Sequence, residues 1–152
     1  MIGTARSPAS AKELASLKNV SVVSMDVASK SSVSEAATKI AELAPDGIDE
    51  LWNNAARHDA KFVVTADEID DEGWVDELRT NVVGQTLATR ALLPLLRKGQ
   101  SKKIIFISSD AASLGQIAGD NTACSYCSTK AALNMSIKVC TPAHSLRSGV
   151  IG

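Results

Sequence analysis

The chain has 152 residues, of which 45% are hydrophobic and 22% are charged, and these values are typical of one globular domain with a packed core. The formal net charge is −1 and only 3% of the residues are aromatic, so neither nucleic acid nor an anionic membrane is an expected partner. No apolar run approaches the roughly 20 residues that cross a bilayer, and the first residues lack the apolar stretch of a signal peptide, so the expected location is cytoplasmic.

Segments typical of strands and helices alternate along the first third of the chain. Residues 2–5 are apolar and predict a short strand, and residues 8–18 predict a helix with two leucines three positions apart. Residues 20–25 are rich in β-branched side chains and predict a second strand. A serine-rich start predicts a helix over residues 29–43, and residues 48–52 predict a third strand. The predicted apolar face of this second helix comprises Val33, Ala36, Ala37 and Ile40.

The remaining segments continue the alternation. Residues 57–70 have no clear period and predict a loop with some helix, whereas residues 72–98 carry the longest helical pattern. Pro94 predicts a kink or a stop near the end of that helix. Residues 104–107 predict a buried strand, a loop of small residues follows, residues 125–139 predict a helix, and residues 150–151 predict the start of another strand. The predicted packing residues are Trp74, Leu78, Val82, Leu87, Ala91 and Leu95 on the long helix, and Ala131, Ala132 and Met135 on the last one.

This order of elements predicts an α/β fold, a doubly wound parallel sheet with helices on both faces. In such sheets ligands bind beyond the carboxyl ends of the strands. Polar residues follow four of the predicted strands, at Arg6, Asp26, Asn53–Asn54 and Ser108–Ser109. We therefore expect a ligand site at that edge of the sheet.

Tyr126 and Lys130 are four positions apart on a predicted helix, so their side chains share one face. A phenol with a pKa near 10 exchanges protons poorly at neutral pH, and a nearby ammonium group favours the phenolate. The pair begins a helix shortly after the Ser108–Ser109 loop, which favours a site for proton transfer over a chance surface pair.

Three cysteines cannot complete a disulfide framework, although Cys124 and Cys127 have the CxxC spacing that zinc sites and redox dithiols use. Zinc would need two further ligands, for which Cys140 and His144 are the nearby candidates, and the strand-to-helix context of a redox dithiol is missing. His58 and His144 lie far apart without a carboxylate pattern. We expect ordinary thiols, no metal site and no Ser-His triad.

Four motifs occur in one order: Asn53-Asn-Ala-Ala56, Asn81-Val-Val-Gly84, Ile107-Ser-Ser109 and Tyr126-Cys-Ser-Thr-Lys130-Ala-Ala-Leu-Asn134. Together they cover nearly the whole chain, and the chain resembles the short-chain dehydrogenase/reductase family. The local sequence is most similar to fungal-type NADP-dependent ketoreductases and carbonyl reductases. The resemblance implies a Rossmann-like sheet and an oxidoreductase that transfers hydride between NADP(H) and a small carbonyl or alcohol substrate.

The same resemblance implies catalytic roles for four residues. Tyr126 would be the general acid/base, and Lys130 would lower its pKa and hold the nicotinamide ribose. Ser109 would donate a hydrogen bond to the substrate carbonyl. Asn81 would connect the lysine to bulk water through a proton relay.

The cofactor site is implied in the same way. Asn54 and Ala55 would line the cofactor, and Asp26 and Val27 would hold the adenine ring. The end of the family's second strand carries an acidic residue for NAD, whereas Arg6 here, without a carboxylate, favours NADP over NAD. The complete implied set is Arg6, Asp26, Val27, Asn54, Ala55, Tyr126 and Lys130.

The chain departs from the family pattern in several places. The family begins with a strand and a TGxxxGxG turn, whereas this chain resembles the family from its second strand to about the start of its sixth. We therefore predict that residues 1–152 form one incomplete NAD(P)-binding domain. Ala56 stands where the family motif has a glycine. The interval between Ser109 and Tyr126 is longer than is usual in the family, and Ser113 lies nearer the usual spacing. We prefer Ser109 as the catalytic serine because it follows the strand directly.

These departures leave a second hypothesis open. Without the family's first strand, residues 2–5 and 48–52 must pair with each other, leave a slot between them, or fail to fold. We expect isothermal titration with NADPH to show no saturable binding below millimolar concentration. The alternative to an enzyme is a truncated or spliced product without catalysis that acts at most as an interaction module, with the long helices as the surface for partners or homo-oligomers.

Overall fold

The computed structural model describes residues 1–7, 9, 11–58, 71–116, 123–140 and 147–151. The strands in this part of the chain are β1 (Ile2–Ala5), β2 (Ser21–Ser24), β3 (Glu50–Asn53), β4 (Lys103–Ile107) and β5 (Arg147–Ile151). The helices are α1 (Lys12–Ser16), α2 (Lys30–Leu43), α3 (Asp71–Leu78), α4 (Gln85–Lys98) and α5 (Cys124–Cys140), with a π-helical segment at Arg79–Gly84 and a 3-10 turn at Asp110–Ala112.

Every strand pair in the described residues is parallel, as the alternation of strands and helices predicts. β1 pairs with β2, while β3, β4 and β5 form a separate three-stranded sheet in that order. β1 and β3 do not pair with each other in the part of the chain that the structure describes. The predicted parallel α/β arrangement is therefore confirmed, and direct pairing of residues 2–5 with residues 48–52 does not occur.

Two apolar clusters join the sheets to the helices. The first contains side chains of α2, α4 and β2, and both Ile2 of β1 and Leu51 of β3 pack against it, so the two sheets share one core. Burying one such side chain contributes about 1.5–3 kcal/mol. The second cluster joins α4 and α5 to β4. The buried members of the first are Val23, Ala36, Ile40, Leu92 and Leu95, and those of the second are Leu96, Ile104, Phe106, Leu133 and Ile137.

The long helical pattern of residues 72–98 forms a helix, but its buried face differs from the predicted one. Glu77, Asn81 and Gln85 are almost fully buried in its first half, and Leu92 is buried in its second. The predicted residues Trp74, Leu78, Val82, Leu87 and Ala91 are only half-buried, because polar side chains bonded to neighbouring backbone take the inner face. Pro94 does not stop the helix, which continues to Lys98.

Other predicted elements are confirmed with small changes. Ser29 caps α2 by accepting a hydrogen bond from the Ser32 backbone. On α5, Met135 is 65% exposed and the prediction that it packs in the core is wrong, since Leu133 and Ile137 take that place. Most of the loop predicted at residues 57–70, and His144, lie outside the described residues. Within the described residues, no helix combines the length and the apolar character required to span a membrane.

Candidate active site

A cleft of about 1080 Å³ lies at the carboxyl ends of β1, β2 and β3. Parallel strands end at the same edge of a sheet, so the residues that follow them meet there. Five residues that the sequence assigned to a cofactor line this one cleft: Arg6, Asp26, Val27, Asn54 and Ala55.

The wall of the cleft formed by residues 26–29 is fixed by short-range hydrogen bonds. The Asp26 carboxylate accepts the backbone N–H of Ala28 at 2.9 Å, and the Asp26 N–H donates to the Ser32 hydroxyl at 2.9 Å. Gly84 packs directly against Val27, since a Cβ on Gly84 would lie 2.8 Å from the Val27 carbonyl oxygen. The glycine of the Asn81-Val-Val-Gly84 motif thus lets the long helix approach the cleft wall.

The proposed reactive residues lie together at the start of α5. The Ser109 side chain lies close enough to the Tyr126 phenol to lower its pKa. The Lys130 amine lies over the Tyr126 ring, 5.7 Å from its centroid, and donates to the Ile107 carbonyl at 2.7 Å. Ser108 donates to Asn134 at 2.7 Å, which ties the end of β4 to α5. The structure therefore brings Ser109, Tyr126 and Lys130 into one cluster.

The electrostatics of this cluster differ from the expectation for Tyr126. Burial raises the pKa of the phenol above its ordinary value, and the nearby polar side chain of Ser109 acts in the opposite direction. The negative charges of Glu77 and Asp110 raise the pKa of Tyr126 further. Burial also lowers the pKa of the Lys130 amine. The pKa of Tyr126 is thus raised in the chain itself, whereas we expected Lys130 to lower it.

Asn81 is fully buried in the π-helical segment and joins three parts of the chain. The side-chain oxygen of Asn81 accepts the backbone N–H of Arg57 at 2.8 Å, and the side-chain amide of Asn81 donates to the backbone carbonyl of Arg57 at 2.8 Å. The amide also donates to the Thr129 hydroxyl at 3.0 Å. Asn81 therefore links the segment after β3 to α5. Its contact on α5 is Thr129, the residue before Lys130.

Two further residues near the phenol were not predicted from the sequence. The ring of His58 lies 4.5 Å from that of Tyr126, centroid to centroid, and His58 also lines the cleft. Its Nδ1 is 3.7 Å from a carboxylate oxygen of Glu77, which is 1% exposed. The available signal was the four-residue spacing of Glu77, Asn81 and Gln85, which places three polar side chains on one helix face.

The two cysteines of the CxxC pair, Cys124 and Cys127, lie at the start of α5. Neither Cys124 nor Cys127 forms a disulfide bond, and burial raises the pKa of the Cys127 thiol. Among the described residues, no group of three or more histidine, cysteine or acidic side chains is arranged to hold a metal ion.

Parallel strands with helices packed on them, and a cleft beyond the strand ends, define an α/β domain of the Rossmann-like class. The model of the short chain dehydrogenase family matches residues 2–147, and the chain belongs to that family. Members of the family are oxidoreductases that bind a nicotinamide cofactor and act on small molecules. The predicted family and fold class are thus confirmed.

The chain is 36% identical over 142 residues to an uncharacterized oxidoreductase of Schizosaccharomyces pombe, a match that covers 91% of this chain and 54% of that protein. Among solved structures, it resembles an NADPH-bound carbonyl reductase from chicken fatty liver with 27% identity and a TM-score of 0.85, over 98% of this chain and 66% of that one. The carbonyl reductase Sniffer of D. melanogaster gives 26% identity and a TM-score of 0.79, over 90% and 60% of the two chains. The chain spans about half the length of the curated relatives it matches.

Proposed function

We propose that the chain belongs to an oxidoreductase that transfers hydride between NADP(H) and a carbonyl or alcohol substrate, within an NAD(P)-binding domain that residues 1–152 form in part. The observation that carries this proposal is the cluster of Ser109, Tyr126 and Lys130, where the amine lies over the ring of the phenol and the serine is near enough to lower the pKa of that phenol. His58 lines the cleft and contacts Tyr126, so the phenol adjoins the space that a cofactor would occupy.

In this proposal the protein supplies the proton and the polarising hydrogen bond. Tyr126 gives its phenolic proton to the substrate oxygen, and Ser109 donates a hydrogen bond to the same oxygen as negative charge develops on it. The nicotinamide supplies the hydride, because protein side chains cannot. The Lys130 amine stabilises the phenolate that remains, and Asn81 holds the neighbouring Thr129 in place.

The residues of the cleft fit an adenine dinucleotide that carries a 2′-phosphate. The exposed guanidinium of Arg6 follows β1, at the strand end that sets the preference between NAD and NADP. Asp26 and Val27 line the cleft after β2, where an adenine ring would lie, and Asn54 and Ala55 line it after β3. NADP is the proposed cofactor, and the NADPH named in the chicken carbonyl reductase supports that choice.

The proposal is tested by following NADPH oxidation against a panel of ketones, with the native chain and Tyr126→Phe. At millimolar NADPH, the range in which the chain is expected to bind it, we expect turnover by the native chain and a loss of at least roughly 100-fold in the variant, the usual contribution of a general acid. Met135→Leu, on the exposed face of the same helix, is the matched control and should keep full activity. Equal activity of the native chain and Tyr126→Phe would contradict the role of the tyrosine. No turnover at saturating NADPH would instead favour the non-catalytic interaction module.

A further inference from the structure

Three arginines are among the described residues that line the cleft, and so far only Arg6 has a proposed role. Arg57 lies on the segment after β3, and Arg79 begins the π-helical segment. The acidic side chains among the same described lining residues are Asp26 and Asp76. The whole chain has a formal net charge of −1, so the excess of positive charge is local to the cleft. The charge of the cleft therefore favours an anionic ligand.

Asp76 of α3 holds the other two arginines beside each other. One oxygen of its carboxylate lies 2.9 Å from a guanidinium nitrogen of Arg57, and the other lies 3.8 Å from a guanidinium nitrogen of Arg79. The second distance is longer than a hydrogen bond, so this contact orients Arg79 without using its N–H donors. The side chain of Arg79 is 59% exposed, and its donors are therefore accessible to a ligand in the cleft.

The backbone that carries both arginines is fixed by contacts between segments. Asn81, two residues after Arg79, bonds both the N–H and the carbonyl of the Arg57 backbone at 2.8 Å. Gly84, at the end of the same π-helical segment, packs against the carbonyl of Val27. Binding groups on a fixed backbone lose less conformational freedom when a ligand binds, so this arrangement favours binding.

The two ends of the proposed cofactor define where its diphosphate would lie. The proposed function puts the adenine ring at Asp26 and Val27 and the nicotinamide near Tyr126. The diphosphate joins these two halves, so it would cross the cleft between them. Arg57 directly precedes His58, which lines the cleft and whose ring lies 4.5 Å from that of Tyr126. The two linked arginines therefore line the same cleft that the diphosphate would cross.

We propose that Arg79, which Asp76 orients beside Arg57, binds the diphosphate of the dinucleotide cofactor. A guanidinium group presents a planar fork of N–H donors that matches two phosphate oxygens at once. Asp76 is a positioning residue, because its carboxylate repels a diphosphate and acts only through the arginines. This inference rests on the proposed function. It separates Arg79 from Arg6, because NAD and NADP both carry the diphosphate and only NADP carries the 2′-phosphate.

The variant Arg79→Gln removes the charge and keeps most of the length of the side chain. Titration of the labelled chain, followed by nuclear magnetic resonance at millimolar ligand concentration and above, gives each affinity and confirms the fold in the same spectra. We expect Arg79→Gln to weaken the binding of NADPH, NADH and ADP by a similar factor of about tenfold, because all three carry a diphosphate. Adenosine, which has no phosphate, should bind the native chain and the variant equally.

Arg97→Gln is the matched control. It removes an exposed arginine from the last turn of α4, and Arg97 is not among the described residues that line the cleft. We expect this variant to keep the native affinity for all four ligands. If Arg97→Gln weakened ADP binding as much as Arg79→Gln, the loss would be a general effect of net charge and the proposal would be wrong.

The positioning role of Asp76 is tested by combining Asp76→Asn with Arg79→Gln. If the carboxylate orients Arg79, the loss of ADP affinity caused by Arg79→Gln should be smaller in the Asp76→Asn background than in the native chain. Equal losses in the two backgrounds would mean that Asp76 does not position Arg79. Adenosine affinity, measured in the same variants, should stay constant, whereas a general structural defect would lower it.

Three results would overturn the proposal: equal ADP affinity of the native chain and Arg79→Gln, no ADP binding by the native chain, or a loss confined to NADPH. None of these measurements requires turnover. Failure of the proposed oxidoreductase function alone would appear as a chain that does not oxidise NADPH but shows the expected ADP results. Failure of the role of Arg79 alone would appear as a chain that oxidises NADPH while its ADP affinity does not depend on Arg79.

Discussion

The Ser109 hydroxyl donates its proton to the Asp110 carboxylate, with 3.0 Å between the two oxygens. The same serine oxygen accepts the N–H of Ala111 at 3.1 Å. A hydroxyl has one proton, so Asp110 competes with Tyr126 and with any substrate carbonyl for the hydrogen bond from Ser109. In this structure the hydroxyl proton of Ser109 is therefore engaged by the Asp110 carboxylate.

Replacement of that carboxylate should act on the phenol. We expect Asp110→Asn to lower the pKa of Tyr126, because a negative charge that disfavours the phenolate is removed and the Ser109 proton becomes available to it. The titration of the single tyrosine measures this change. Asp71→Asn, on the exposed first turn of α3, is the control that should have no effect, and a rise of the Tyr126 pKa in Asp110→Asn would contradict the competition.

Gly84 should be sensitive to the smallest side chain. A Cβ there would lie 2.8 Å from the Val27 carbonyl oxygen and 3.0 Å from Val27 Cγ2, so Gly84→Ala should reduce the free energy of unfolding by about 1–3 kcal/mol. Urea denaturation measures the change. Gly115→Ala meets no atom within 4 Å and should be close to neutral. A more stable Gly84→Ala would show that ordinary helix propensity outweighs the close contact.

Asn81→Asp should destabilise the chain despite the equal size of the two side chains. The variant loses two amide donations, to the Arg57 carbonyl and the Thr129 hydroxyl, and introduces a carboxylate at a fully buried position. We expect a loss of about 3 kcal/mol or more at neutral pH, measured by urea denaturation. Asn54→Asp alters an exposed asparagine and should cost much less. Similar losses in both variants would argue against the bridging role.

The stability of the chain should depend on Tyr126 at alkaline pH. Burial raises the pKa of this phenol in the folded chain, so the folded chain binds the proton more strongly than the unfolded chain does. That contribution to stability is complete below pH 10.0 and is lost as the pH rises through the folded pKa. The stability of the native chain relative to Tyr126→Phe should therefore be constant below this pH and fall above it. Urea denaturation of both chains at several pH values measures this difference. A relative stability of the native chain that rises above pH 10.0 would contradict a raised pKa of Tyr126 in the folded chain.

Arg6 should determine the preference between the two nicotinamide cofactors. Removal of its charge in Arg6→Ala should weaken NADPH binding by about tenfold, which corresponds to about 1.4 kcal/mol, and leave NADH binding unchanged. Isothermal titration of both cofactors at millimolar concentration and above gives the ratio. Lys12→Ala removes an exposed cation that does not line the cleft and is the control. An equal loss for NADH and NADPH would mean that Arg6 does not contact a 2′-phosphate.

Features set by nearby residues could be predicted from the sequence. The strand at 104–107 was predicted because four apolar residues follow each other, and the shared face of Tyr126 and Lys130 follows from their four-residue spacing. The grouping of Arg6, Asp26 and Asn54 followed from the rule for parallel strands.

Contacts between distant segments could not be predicted in this way. Glu77, His58 and Tyr126 come from three elements, and no local pattern shows that their side chains meet. The buried face of the long helix was mispredicted for a related reason. Hydrophobicity ranks Trp74 and Leu78 above Glu77 and Asn81, but hydrogen bonds to the Arg57 backbone make Asn81 an interior residue.

The π-helical segment at Arg79–Gly84 has a consequence for insertions and deletions in this helix. A π turn holds about one residue more than an α turn, so it offsets the angular phase of α3 from that of α4. Deleting one residue there would restore a regular helix and rotate α3 by roughly 100° relative to α4. Glu77 would then leave His58, even though every residue of α3 and α4 was retained. Natural length variation within this turn is therefore incompatible with keeping both helix faces in contact with their present neighbours.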